Sequence, residues 1–180
     1  HVVALATDAG LAKMVAATIL GSAALWSLVS RIGIPILADR IGGKGGLFVT
    51  MILQASTISW LFFAKESWDF SFFSIIFGIG YGGEMAMFPI LSREYFGPAS
   101  FGKIYGIQMF GAALGMAVGG YLAGLAFDLF GSYYLAILLA VLTGFLGAVF
   151  TMTFPPSEEY RKAELIEEKD EAYVIQPQAV

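Results

Sequence analysis

Five runs of about 20 mostly apolar residues, each long enough to cross a bilayer, are separated only by short stretches of glycine, proline and charge. They lie at about 11–38, 47–64, 70–91, 104–127 and 133–154, and a helix rising 1.5 Å per residue spans the hydrocarbon in that length. A water-soluble fold needs charge spread through the sequence to build a polar shell. Here the charged residues, 13% of 180, cluster between the runs, while 58% of the chain is hydrophobic and its mean hydropathy is +0.76. The expected fold class is therefore an all-α membrane protein with about five transmembrane helices.

The connections read ADRIGGKGG, KESWD, SREYFGPASFGK and DLFGS, each with residues that stop a helix. All are short, so neighbouring spans should be antiparallel: the first, third and fifth run one way, the second and fourth the other. Arg40, Lys44, Arg93, Lys103, Arg161 and Lys162 gather on one side, whereas Lys13 and Lys65 lie on the other. Cytoplasmic loops retain basic residues, which places the C-terminus in the cytoplasm; the expected location is multi-pass in the plasma (inner) membrane.

The expected organisation is a helical bundle over 1–155 and a solvated acidic tail over 156–180. The net charge of −4 is carried by that tail, in which Glu158, Glu159, Glu164, Glu167, Glu168, Asp170 and Glu171 outnumber Arg161, Lys162 and Lys169. No basic field is left to attract nucleic acid. Cysteine is absent and the one histidine is His1, so no thiolate or histidine cluster suggests a metal, and no nucleophile with its base suggests an enzyme. Neither cofactor nor catalytic residue is expected. The opening HVVALATDAG lacks the features of a signal peptide and reads as a cut through a longer chain.

Small residues let membrane helices approach closely. The fourth run carries Gly102, Gly106, Gly111, Gly115, Gly119 and Gly124; the third carries Gly78, Gly80, Gly82 and Gly83 in GIGYGG. Such faces serve either static packing or the sliding and tilting of helices during transport.

Two ionisable side chains lie deep within runs, where a charge costs roughly 2.5–3.5 kcal/mol. Arg31 precedes Asp39 by eight residues, about 12 Å of depth, and Glu84 precedes Arg93 by nine, about 13.5 Å. The matched depths allow two readings: a fixed Arg31–Glu84 ion pair joining two helices, or an anion site in which the guanidinium fork of Arg31 takes a carboxylate. Pro35 lacks the amide that would bond the Arg31 carbonyl, which predicts a kink at that depth. Ser27 and Tyr81 share faces with Arg31 and Glu84 and are candidate ligand donors, as is Gln108 in the fourth run, which either lines the cavity or bonds across helices. Asp8 and Asp128 fall near the outer ends as interfacial caps.

The segment GIPILADRIGGKGG resembles the loop signature of the major facilitator superfamily, with Asp39, Arg40, Gly42 and Lys44 at the matching positions. Pro35 stands where glycine is usual and Gly43 replaces a basic residue. Within the superfamily the chain resembles the monocarboxylate transporter and oxalate/formate antiporter group, on ATDAG, the arginine eight residues before the loop aspartate, IGYGGEMAMFPILSREYFG and FDLFGSYYLA. The resemblance implies helices eight to twelve of a twelve-helix fold, with residues 1–10 ending the seventh and an N-terminal half supplying the other wall of the cavity. It further implies that Asp39, Arg40 and Lys44 form a conformational gate and that Arg31 holds the substrate carboxylate. Oxalate exchangers place a lysine inside the helix that corresponds to the fourth run; here none lies beyond Lys103 at its entrance, which favours a monocarboxylate.

Glu84 suggests coupling: a carboxylate competing for Arg31 would leave Glu84 unpartnered in low dielectric and ready to take a proton. The expected partners are thus a small organic anion, protons, the lipid bilayer and the other half of the chain. The competing expectations are a structural or receptor-type membrane subunit that moves no solute, or a facilitator-family transporter of another solute.

Overall fold

A computed structural model describes residues 2–8 and 10–155. Five helices follow one another: α1 (Val2–Asp8), α2 (Lys13–Ile41), α3 (Gly43–Trp60), α4 (Ser67–Phe130) and α5 (Tyr134–Thr153), with no strand among the described residues. The acidic tail lies outside the described residues, as do the side chain of Asp8 and the position of His1.

Two connections differ from the sequence expectation. Between α2 and α3 the expected loop shrinks to Gly42, whose φ of 83° and ψ of 151° turn the chain in one step; Asp39 and Arg40 are still helical. A side chain rarely adopts that φ, so glycine makes the one-residue turn possible. The second difference is larger. The segment SREYFGPASFGK, expected to separate two spans, is helical on both sides of Gly97, where φ is 68° and ψ is 172°. Pro98 opens the continuation, a position where its missing amide costs nothing. Breaker residues marked the boundary correctly, but only one residue leaves helical geometry.

At 64 residues α4 would measure about 96 Å if straight, three times the hydrocarbon thickness. Instead it turns back at Gly97: the Ser92 side chain before the turn meets Gln108 beyond it, at 2.6 Å. Residues 67–96 are here called the first arm and 98–130 the second. They take the places of the third and fourth apolar runs. Helices α2, α4 and α5 are long and apolar enough to cross a membrane; α3, at 18 residues the second run's counterpart, is not among those that meet this measure. Continuous helix is what hydrocarbon demands, because every backbone amide and carbonyl is then satisfied within its own segment. The protein is an all-α membrane protein.

Helix α2 buries Ala16, Ile19, Ser27, Ser30, Ile34 and Ala38, a stripe at three- and four-residue spacing, and leaves Leu25, Leu28, Val29, Ile32 and Ile36 exposed on its far side. That stripe meets the first arm of α4. A Cβ placed on Gly78 would strike the carbonyl of Ala23, and one on Gly82 the carbonyl of Ser27, so backbone rests on backbone. Both contacts advance four residues together, so the two helices are parallel. Helix α3 runs the other way: Gly43 faces Glu94, Gly46 faces Met87, and Gly80 faces Thr50 and Gln54. Along α5, Gly144 faces Ala55 and Gly147 faces Met51, which makes α5 antiparallel to α3. The alternation expected from the short connections is what these contacts show.

Two buried apolar groups close the bundle at either end. Ala6, Ala16, Ile19, Leu61, Phe70 and Phe73 form one, bringing α1 against α2 and α4; Ile34, Ala38, Leu47, Met87 and Leu91 form the other, where α2 passes into α3. The first arm of α4 is started by a capping box, in which the Asp69 carboxylate accepts the amides of Lys65 and Glu66 at 2.9 Å each. The second arm ends at Gly131, left-handed at φ 64°, whose amide returns to the Phe127 carbonyl at 2.8 Å.

Candidate functional site

The seam between α2 and the first arm of α4 sets the geometry of the deep charges. Ser27 is buried against Gly82, and its carbonyl also accepts the Ser30 hydroxyl at 3.1 Å. Ser27 is therefore a packing residue in this arrangement, not a side chain presented to solute. Arg31 follows it by one helical turn, about 40° around the axis, and is exposed at the edge of the seam rather than on the broad apolar side of α2. Helix α2 is continuous through Pro35, which lies inside it. Tyr81, adjacent to Gly82, is 36% exposed and its ring stacks on Phe77 at 6.1 Å. Arg31 and Tyr81 thus flank one seam from the two helices that make it.

Glu84 turns elsewhere. Its Oε2 accepts a hydrogen bond from Gln54 Nε2 of α3, and no ion pair joins it to Arg31 among the described residues. The fixed Arg31–Glu84 pair is therefore replaced by a carboxylate–amide pair, for a steric reason: Gly80 lets the Gln54 side chain pass, since a Cβ there would sit 2.7 Å from Gln54 Cγ. Sequence reasoning missed Gln54 because it compared depths only for charged residues. The signal was present: Gln54 lies ten residues beyond Lys44, about 15 Å in, close to the depth of Glu84. A second polar contact within the bundle joins the hydroxyls of Ser22 and Ser74.

Gln108 lies apart from these groups. It bonds Ser92, whose hydroxyl also reaches the Phe88 carbonyl at 2.7 Å, and it faces a cleft whose lining includes neither Arg31, Ser27, Tyr81 nor Glu84. Gln108 thus bonds between helical segments and also lines this cleft, apart from the seam.

The gate residues divide in the same way. Asp39 and Arg40 are exposed on the last turn of α2. Lys44, in the first turn of α3, donates to the carbonyls of Met152, at 2.8 Å, and of Phe154 at the end of α5. An ammonium there satisfies carbonyls left over by the helix and meets the negative end of its dipole. Tyr95 adds a bond from its hydroxyl to the Pro155 carbonyl at 2.7 Å. One Glu94 carboxylate oxygen is buried without a hydrogen-bond partner among the described residues, and a Cβ on Gly43 would lie 2.7 Å from it. Glycine where the signature has a basic residue is thus what admits Glu94 beside the start of α3, whose dipole favours a negative charge.

No group of three or more His, Cys, Asp or Glu that could hold a metal occurs among the described residues. A sequence-family model described as Major Facilitator Superfamily matches residues 2–178. No curated protein gives a significant match to the chain.

Proposed function

The chain belongs to the Major Facilitator Superfamily of transporters, and from that premise we propose that it moves a small organic anion, a monocarboxylate, by alternating access, with Arg31 as the anion-binding group. The observation that carries this reading is the placement of Arg31: deep along α2, at the edge of the α2–α4 seam, and without the carboxylate partner that its depth suggested. A guanidinium at that depth needs a counter-charge, and its planar fork of donors suits a carboxylate. Tyr81, on the other side of the seam, is the nearest candidate for a second donor to the ligand. Ser27 and Gln108, engaged in packing and in the Ser92 contact, take lesser parts.

Glu84 is the proposed proton site. Its partner Gln54 carries a donor and an acceptor on one amide, so it satisfies an ionised carboxylate as well as a protonated one after the amide turns over. Proton binding at Glu84 then needs no direct exchange with Arg31, and the coupling between anion and proton passes through the common seam. Asp39, Arg40 and Lys44 remain the proposed gate, with the N-terminal half of the carrier forming the opposing wall and the C-terminal tail facing the cytoplasm.

The test is uptake of a labelled monocarboxylate into vesicles under an imposed pH gradient. Arg31→Ala should abolish uptake, while Glu84→Gln should retain counterflow but lose the response to the gradient. Intact uptake by Arg31→Ala removes the anion site; a preserved gradient response in Glu84→Gln removes the proton role alone. Wild-type protein without counterflow for any monocarboxylate leaves the structural-subunit reading, or another solute, in its place.

A further inference from the structure

The fold encloses a second site, away from the seam, that shares only Lys44 and Gln108 with the transport reading. A cleft of about 460 Å³ opens between α3, the two arms of α4 and α5, at the end of the bundle where α2 passes into α3. Its walls are apolar: Leu47, Met51, Phe88, Leu91, Ile107 and Phe150 are among the residues that line it. Of the helices that form it, α4 and α5 are long and apolar enough to cross a membrane, which puts lipid within reach of its mouth. Among the described residues its one cationic lining residue is Lys44, whose charge the two carbonyl acceptors at the end of α5 do not neutralise. Arg93 and Lys103, both exposed, adjoin the lining residues Ser92 and Ile104 in sequence; Arg40 is exposed at the same end. Among the described residues the carboxylates here are fewer: Asp39 is exposed on α2, and Glu94 is partly buried against Gly43. An apolar slot ending in a surplus of basic groups matches an anionic amphiphile, not a neutral or a polar one.

We propose that the cleft is a binding site for an anionic phospholipid of the adjacent leaflet, one acyl chain lying along Met51, Leu91 and Phe150 and the phosphate held at the Lys44 end. Basic pockets between membrane helices recognise such headgroups. The bound lipid would fill the space between the second arm of α4 and α5, where the protein itself provides little packing. The polar tip of Gln108, fixed by Ser92, lies in the same wall and offers the glycerol region a hydrogen-bonding partner.

Native mass spectrometry of the purified protein in detergent, offered phosphatidylglycerol or phosphatidylcholine with matched acyl chains, reads this directly. The wild type should retain phosphatidylglycerol in preference to phosphatidylcholine. Arg93→Gln and Lys103→Gln should each weaken that retention about fivefold, the factor that corresponds to roughly 1 kcal/mol per basic residue near a headgroup. Ile107→Trp, a change at a residue 60% exposed that fills the cleft from its wall, should abolish the preference without lowering the thermal unfolding midpoint. Equal retention of the two lipids by the wild type, undiminished preference in Ile107→Trp, or displacement of lipid by a second copy of the chain would each overturn the proposal.

Discussion

Both arms of α4 are rich in glycine, with four in the first and seven in the second, yet the same residue type serves opposite ends in them. In the first arm Gly78, Gly80, Gly82 and Gly83 are all buried, and a Cβ on any of them would collide with α2 or α3. In the second arm Gly102, Gly106, Gly111, Gly115 and Gly119 have open space where a Cβ would stand. The first arm is a fixed joint between helices. The second presents a bare face, flanked by exposed Phe110, Leu114, Met116 and Tyr121, that this part of the fold leaves unoccupied. Spacing alone therefore does not distinguish a glycine that is already packed from one that keeps a surface smooth; what distinguishes them is whether a neighbouring backbone is there.

The comparison is easiest to break at Gly82. Gly82→Ala drives a methyl group against the Ser27 carbonyl, and the joint must open; the expected loss is about 3 kcal/mol, read from the thermal unfolding of the detergent-solubilised protein. Unchanged stability would mean that the seam is looser than described. Next in size is Gln54→Leu, which leaves the Glu84 carboxylate without its hydrogen-bond partner and should cost about 2 kcal/mol. Adding Glu84→Leu to it should recover much of that loss, because no buried polar group then remains unsatisfied. Gly115→Ala, in the second arm, should raise stability by about 0.5–1 kcal/mol through helix propensity alone. If it also slows transport, the bare face is one that moves against another surface. Lys44→Gln sharpens the contrast at the gate: it should cost only about 0.5 kcal/mol, the size of a charge–dipole contact at a partly exposed helix end.

The helices and their alternating directions were legible in the sequence, because apolar run length and helix-breaking residues follow directly from the bilayer and the backbone. The extent of the breaks was not. Gly42 and Gly97 each turn the chain almost alone, and a composition that marks a boundary does not reveal how few residues leave helical geometry. At the seam, the depths of Arg31 and Glu84 were readable from residue counts along each helix, but their partners were not. Which of two groups at equal depth meets a third depends on rotation about the helix axis, and that was decided here by Gly80 and Gly82, whose missing side chains let α3 and α2 come close. Ser27 illustrates the same limit, since its helical face was predicted and its burial against a glycine was not.

The central claim is that Arg31 and Tyr81 border a water-filled path that a carboxylate occupies. The absence of cysteine from these 180 residues makes Tyr81→Cys a unique reporter within them. A membrane-impermeant thiol reagent should label Tyr81→Cys in vesicles, a monocarboxylate should protect it, and the protection should vanish when Arg31→Ala is added. Failure of Tyr81→Cys to react, or protection that persists undiminished in the absence of the guanidinium, would contradict the account.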